Sequence, residues 1–263
     1  MPVAAIQFGD ADAYERFMGR WSRAVAPVFL HWLDSPKHGK WLDVGCGTGI
    51  LTEALLDLCD PASVTGIDSS AAQIAAASGD RAAQRARFRK ADAMALPFPD
   101  RSFDNAVCAL VINFIADPVR ALTEMRRVTV RGGCLGGYVW DFEKDLSPSG
   151  PLRRAMQAFG AEVPEVPGTV HSSLRALESL FREAGLSTIE SRTVDVTLAY
   201  PDFEDFWSAQ TPGYSPTTRV INAMTDAERG RLMRAVRESV PRAHHGRIEY
   251  TARANAIKAA VTA

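Results

Sequence analysis

"KWLDVGCGTGILTEAL", residues 40–55, decides the fold. "WLDVG" (41–45) is an apolar run of strand length. Gly45, Gly47 and Gly49 then make a turn, and "GILTEALLDLC" (49–59) puts Leu51, Ala54, Leu55 and Leu58 on one helical face. A strand, a glycine turn and a helix hold polar ligand groups well, because the first N–H groups of the helix are unpaired and the helix dipole is positive there. The spacing argues against two nucleotide motifs. A dinucleotide fingerprint needs its third glycine where Ile50 stands, and no Gly-Lys-Ser/Thr follows for a phosphate-binding loop. Asp43 instead brings a carboxylate to the turn.

Outward from this stretch, short apolar runs alternate with helical patterns, the mark of a parallel sheet with crossover helices. Strands are expected at 63–68, 86–92 and 103–112, and, after a turn at Gly132-Gly133, up to 141. "SSAAQIAAASGDRA" (69–82) and "PVRALTEMRRV" (118–128) are expected helices, the first capped by serine and the second opening on Pro118. After Asp141 comes a loop containing Pro148, Pro151, Pro164 and Pro167, with a short helix near "LRRAMQAFG". A helix over 172–186 stops at Gly185, and 187–200 reads as strand. Residues 201–245 look helical, and 246–261 alternate like a last strand that could run into a short helical end.

The 263 residues carry a net charge of −1, so no global field favours nucleic acid or anionic lipid. The basic run Arg81, Arg85, Arg87, Arg89 and Lys90 reads as a solvated surface. The N-terminus lacks a secretory pattern, and no stretch reaches the roughly 18 apolar residues of a membrane span. Cys46, Cys59, Cys108 and Cys134 are widely separated and have no nearby histidine, so reduced thiols in a cytoplasmic protein are expected. His31, His38, His171, His244 and His245 have neither metal-ligand spacing nor an acid cluster, and no metal is expected.

"LDVGCGTG" (42–49) resembles motif I of the class I S-adenosylmethionine (SAM)-dependent methyltransferases. The resemblance continues in order through Asp68 of "VTGIDSS", "KADAMALPFPDRSFD" (90–104) and "ALTEMRRVTVRGG" (121–133). The last two are similar to the subgroup that includes ubiquinone- and menaquinone-biosynthesis methyltransferases. Arg131 replaces that subgroup's usual proline, in a turn away from the cofactor motifs. The likeness is good over 38–141, loose over 172–200 and faint elsewhere. It implies a doubly wound α/β fold: a mostly parallel, seven-stranded Rossmann-like sheet with an antiparallel last strand and helical cap insertions. It implies one methyltransferase domain, with a core of about 38–141, 171–200 and 246–262 and cap segments of about 1–37, 142–170 and 201–245.

The resemblance also implies SAM as cofactor, S-adenosylhomocysteine (SAH) as product and a small-molecule methyl acceptor. Asp43 would lie by the methionine amino end, or simply cap the turn. Asp68 would bind the ribose hydroxyls, or cap a helix, and Asp92 would receive the adenine amino group, or end a strand in solvent. Gly45, Cys46, Gly47, Gly49, Ser69 and Ala93 complete the cofactor set. Asn113 either lines the cavity at the carboxyl edge of the sheet or caps a strand end. "AYERFMGRWSR" (13–23) has Tyr14, Phe17 and Trp21 at helical spacing. It is either a helix packed on the core or a lid from which Tyr14 or Arg20 reaches the SAM carboxylate. Trp140, Phe142, Phe206, Trp207 and Tyr214 either line a partly apolar acceptor pocket or pack the cap. No catalytic side chain is readable, because methyl transfer from a cationic sulfur depends mainly on proximity and in-line alignment. A binding module without methyl transfer and a nicotinamide-dependent oxidoreductase are the rival readings.

Overall fold

β1 (Lys40–Val44) is buried along almost its whole length, as a central strand must be, and pairs in parallel with β2 (Ser63–Asp68) and β4 (Phe103–Ala109). β3 (Ala86–Lys90) extends the sheet beyond β2, and β5 (Thr129–Trp140) extends it beyond β4. β7 (Ile248–Ala260) runs antiparallel between β5 and β6 (Ser187–Tyr200), giving the order β3-β2-β1-β4-β5-β7-β6. The computed structural model describes residues 15–35, 37–79, 81–213, 215–241 and 246–262. Tyr14, Tyr214, His244 and His245 lie outside them.

The crossover helices follow their local signals. α1 (Arg20–Leu33) precedes the sheet, and α2 (Ile50–Leu58) and α3 (Ala71–Gly79) follow β1 and β2. α4 (Pro118–Val128) has Pro118 in its first turn, and the Asp117 side chain accepts the Arg120 N–H at 2.9 Å. α6 (Leu174–Glu183) is capped by Ser173 and ends before Gly185, whose φ of +74° lets the chain reverse. α5 (Gly150–Ala158) lies between β5 and α6, and α7 (Phe203–Gln210), α8 (Pro216–Asn222) and α9 (Asp226–Ser239) fill the stretch before β7.

Several boundaries move. β5 starts at Thr129 and not after the glycine pair, because Gly132, at φ +80°, keeps the ladder going: its N–H donates to Val261. β4 ends at Ala109, since Leu110 turns left-handed and residues 112–114 form a 3₁₀ turn. β3 ends at Lys90, and the helix expected over 69–82 stops at Gly79 before a separate 3₁₀ turn. β7 has no helical end. In the basic run, Arg85 pairs with Asp57 at 2.7 Å and Arg89 lies over the Phe98 ring.

Two apolar layers sandwich the sheet. Leu122, Met125, Leu177 and Phe181 of α4 and α6 belong to one, and Trp21, Phe29 and Leu55 of α1 and α2 to the other. The helix-spaced stripe expected near the N-terminus is buried here: Phe17 and Trp21 are core residues. Trp21 meets Trp140 and Tyr250 edge-on at 6.0 and 5.9 Å. Trp140 and Phe206 likewise lie in this core, and Phe206 packs on Tyr200, Phe203 and Tyr250. The loop after β5 is strapped down by backbone acceptors: Tyr250 Oη donates to Ser147 O at 3.0 Å and Gln210 Nε2 to Pro148 O at 2.9 Å.

Trp21→Ala is expected to cost about 3–5 kcal/mol of stability, the usual range for deleting a large buried aromatic. Val28→Ala, at a half-exposed position of the same helix, should change it little. Urea unfolding of the two variants checks this.

Candidate functional site

The site forms at the carboxyl edge of β1, where the chain order departs to β2 on one side and β4 on the other. This switch point leaves a crevice between diverging crossovers. Gly45, Gly47 and Gly49 have φ values of +73°, +54° and +97°, a region costly for other residues. At Gly45 there is a second requirement, because a Cβ would overlap the Val111 side chain. The turn is fixed from β2: the N–H groups of Gly45 and Cys46 both donate to Ile67 O, at 2.8 and 2.9 Å. The Asp68 carboxylate accepts the Gly47 N–H at 3.1 Å through one oxygen and the Ser70 N–H at 2.8 Å through the other.

Asp43 is the unusual group. It is 1% exposed on a central strand. Its Oδ2 accepts the Thr52 hydroxyl at 2.7 Å, while Oδ1 has no hydrogen-bond partner. Burial pushes its carboxyl up to about 7; the Thr52 hydrogen bond opposes the rise and the Asp68 charge adds to it. Asp43 and Thr48 line one cavity with Ser22, Gly47, Leu110 and Tyr138. Thr48 Oγ1 is also buried and unpartnered. A buried polar atom without a partner costs roughly 1–3 kcal/mol, so two on one cavity wall mark a place where a ligand supplies donors. A carboxylate there suits a cationic amine and disfavours a phosphate.

The cysteines add no nucleophile. Burial, with the Asp43 and Asp68 charges behind it, drives the Cys46 thiol far up, and burial pushes Cys108 up to about 12. All four thiols are free.

Other expected site residues scatter. Asp92 follows β3 and accepts the Met94 N–H at 2.8 Å, with Ala93 beside it, and Ser69 is exposed after β2. Ala91 N–H donates to Asp68 O at 3.0 Å, which brings the ends of β2 and β3 together. Asn113 is buried, but its amide donates to Pro167 O at 3.0 Å, so it holds the 160s loop and does not line the Asp43 cavity. The Arg20 guanidinium is held by Asp205 and Ala199 O, both at 3.1 Å, and lies 4.5 Å from the Tyr200 ring centre. It ties α1 to β6 and α7, and α1 sends Ser22 to the cavity instead.

Sequence reasoning missed Thr52, Thr48, Ser22, Leu110 and Tyr138. Thr52 had a signal: it stands one residue after Leu51 on the buried side of the first turn of its helix, where a hydroxyl needs a partner. Ser22, Leu110 and Tyr138 had none, since α1, the turn after β4, and β5 reach the cavity only through the tertiary fold.

Residues 42–136 match a family model described as a methyltransferase domain. The chain is 30% identical over 183 residues to the demethylmenaquinone methyltransferase of Roseiflexus castenholzii, 62% of this chain and 74% of that protein. The chain belongs to the class I SAM-dependent methyltransferases. The chain is also 35% identical over 125 residues, 46% of its length, to the chloroplastic 2-methyl-6-phytyl-1,4-hydroquinone methyltransferase of Spinacia oleracea. The match spans only 36% of the spinach protein. The crystal structure of YcgJ from Bacillus subtilis shares the fold, with a TM-score of 0.60 and 18% identity over 93% of this chain and 99% of YcgJ.

The raised Asp43 value fixes a pH dependence of stability. In the unfolded chain Asp43 titrates near its ordinary 3.8, in the folded protein near 7. Between these values only the folded state holds the proton, so this contribution favours folding at low pH and is lost as pH rises through 7. Asp43→Asn should therefore be more stable than the natural protein above about pH 8, by about 1–3 kcal/mol, and the gain should vanish towards about pH 4. Melting curves of both proteins across pH check it.

Proposed function

We propose that this chain binds SAM at the glycine turn and transfers its methyl group to a small-molecule acceptor. The observation that carries the reading is the pair of buried, unpartnered oxygens, Asp43 Oδ1 and Thr48 Oγ1, on the wall of the cavity at the switch point. In this reading Asp43 takes the ammonium of the methionine arm. The backbone of Gly45, Cys46, Gly47 and Gly49 admits the ligand closely. Asp68 and Ser69 face the ribose, and Asp92 and Ala93 the adenine. Arg20 and Asn113 fall outside the set, because their side chains are already bound elsewhere.

The cofactor supplies a methyl group on a cationic sulfur, which makes transfer a matter of alignment. The chain's own residues then bind, orient and exclude water. Burial holds the Cys46 thiol beside the turn neutral, which makes it a poor nucleophile. The acceptor enters the same cavity, whose wall includes Leu110 and Tyr138. The names of the Roseiflexus and spinach relatives, for menaquinone- and hydroquinone-type compounds, support a partly apolar acceptor. Residues 38–141, 171–200 and 246–262 form the core in this reading, and the other segments the cap.

Thermal melting with SAH, SAM, NAD and NADP tests the cofactor. SAH and SAM at about 100 times Kd should stabilise the protein by roughly 2.7 kcal/mol, and the nicotinamides should do nothing. Asp68→Ala should weaken SAH binding about tenfold or more in titration calorimetry. A shift with NAD or NADP alone would overturn the assignment. Transfer of labelled methyl from SAM to a panel of hydroquinones, alcohols and amines separates an enzyme from a binding module.

A further inference from the structure

The wall around Asp43 carries negative or neutral groups. Within β1's turn and the neighbouring strands, the titratable groups coupled to it are Asp68, Cys46 and Cys108. α2 offers it the Thr52 hydroxyl, and β5 brings Tyr138 to the same cavity. α1 contributes Ser22, while its Arg20 is held by Asp205 and its Arg23 by Glu15 and by Glu53 at 3.7 Å. No Lys, Arg or His lines the cavity among the described residues. A carboxylate that is nine-tenths buried or more, has hydrogen bonds from Thr52 only, leaves Oδ1 unpartnered and has no cation on its cavity wall among the described residues is poorly tolerated as an anion.

We propose that Asp43 is a neutral carboxylic acid in the free protein and releases its proton to solvent when an ammonium group enters the cavity. The inference rests on the cofactor reading above and deepens it. The balance is simple: the O–H bond at Asp43 breaks, the proton goes to buffer, and the carboxylate left behind pairs with the ligand's ammonium. Thr52 remains as the donor to Oδ2, and the ammonium supplies the donor that Oδ1 lacks. The free pocket thus avoids an unpaired buried charge, and the charge appears only with its partner. Burial places the carboxyl near 7, so the exchange falls within the physiological range. Cofactor affinity then depends on pH: below about pH 7 it should fall by about tenfold per unit, because a proton competes with the ammonium for one site.

The test is titration calorimetry of the full chain with SAH, in buffers of different ionisation enthalpy. At about pH 6 the heat should report close to one proton released per SAH bound, falling towards none by about pH 8.5. Methylthioadenosine, which keeps the nucleoside and thioether but lacks the amino-acid arm, should bind without proton release. Asp43→Asn should bind SAH with no release and no pH dependence below 7. Thr52→Val, which removes the hydrogen bond that favours the charged form, should move the release to higher pH and so keeps the test open if Asp43→Asn does not fold. SAH binding at about pH 6 with no buffer-dependent heat overturns the proposal and leaves the cofactor reading standing. Release that persists in Asp43→Asn also overturns it. Failure of SAH to bind at any pH overturns the cofactor reading itself.

Discussion

One carboxylate holds the working edge of this protein together. Asp68 ends β2, and its two oxygens accept N–H groups from Gly47 in the turn after β1 and from Ser70 at the start of α3. The ends of two parallel strands and the entries to two helices are thereby set by one side chain. With the Ile67 carbonyl, which takes the Gly45 and Cys46 N–H groups, this leaves the glycine turn almost no freedom. The cavity beside Asp43 exists because the turn cannot collapse into it.

The packing of α1 and α7 depends on a different kind of bond. α1 and α7 sit over β5, β6 and β7 through aromatic contacts among Trp21, Trp140, Tyr250 and Phe206. These contacts have area and little direction. Direction comes from polar side chains that reach backbone carbonyls: Tyr250 to Ser147, Gln210 to Pro148, Asn255 to Ser172. Each fastens a loop that has no regular structure of its own, and each is buried, where a lost partner would be expensive. Arg20 adds to the same arrangement by pairing with Asp205 across the surface. α1 and α7 are therefore held on the sheet by aromatic packing, and the loops beside them by buried side-chain hydrogen bonds to backbone carbonyls.

Asp43 is a point of local instability in the fold. A buried acid with one orphaned oxygen weakens the free protein at neutral pH. Such conflicts between local stability and local chemistry gather at functional sites. Leu110, a non-glycine residue at φ +57° on the same cavity, is a second local irregularity of this kind.

Much of the fold was legible in the chain because its signals are local. β2, β6 and α4 carry the limits expected from their apolar runs, and Pro118 and Gly185 punctuate helices where their backbone chemistry requires. The glycine turn was legible for the same reason: three glycines at alternate positions permit little else between a strand and a helix. What the sequence could not disclose was direction. Asn113 and Arg20 have the right chemistry to face a cofactor, yet one holds Pro167 and the other Asp205, because the loops and helices that approach them are remote in sequence. Ser22 and Tyr138 reach the cavity for the same reason and carried no local mark. The sequence by itself determined the strand–turn–helix unit, since that follows from backbone geometry within a few residues, and its resemblance to a known family supplied the ligand. The tertiary structure alone decided which side chains line the cavity and the burial that leaves Asp43 facing no cation among the described residues, since both depend on which distant surfaces pack together.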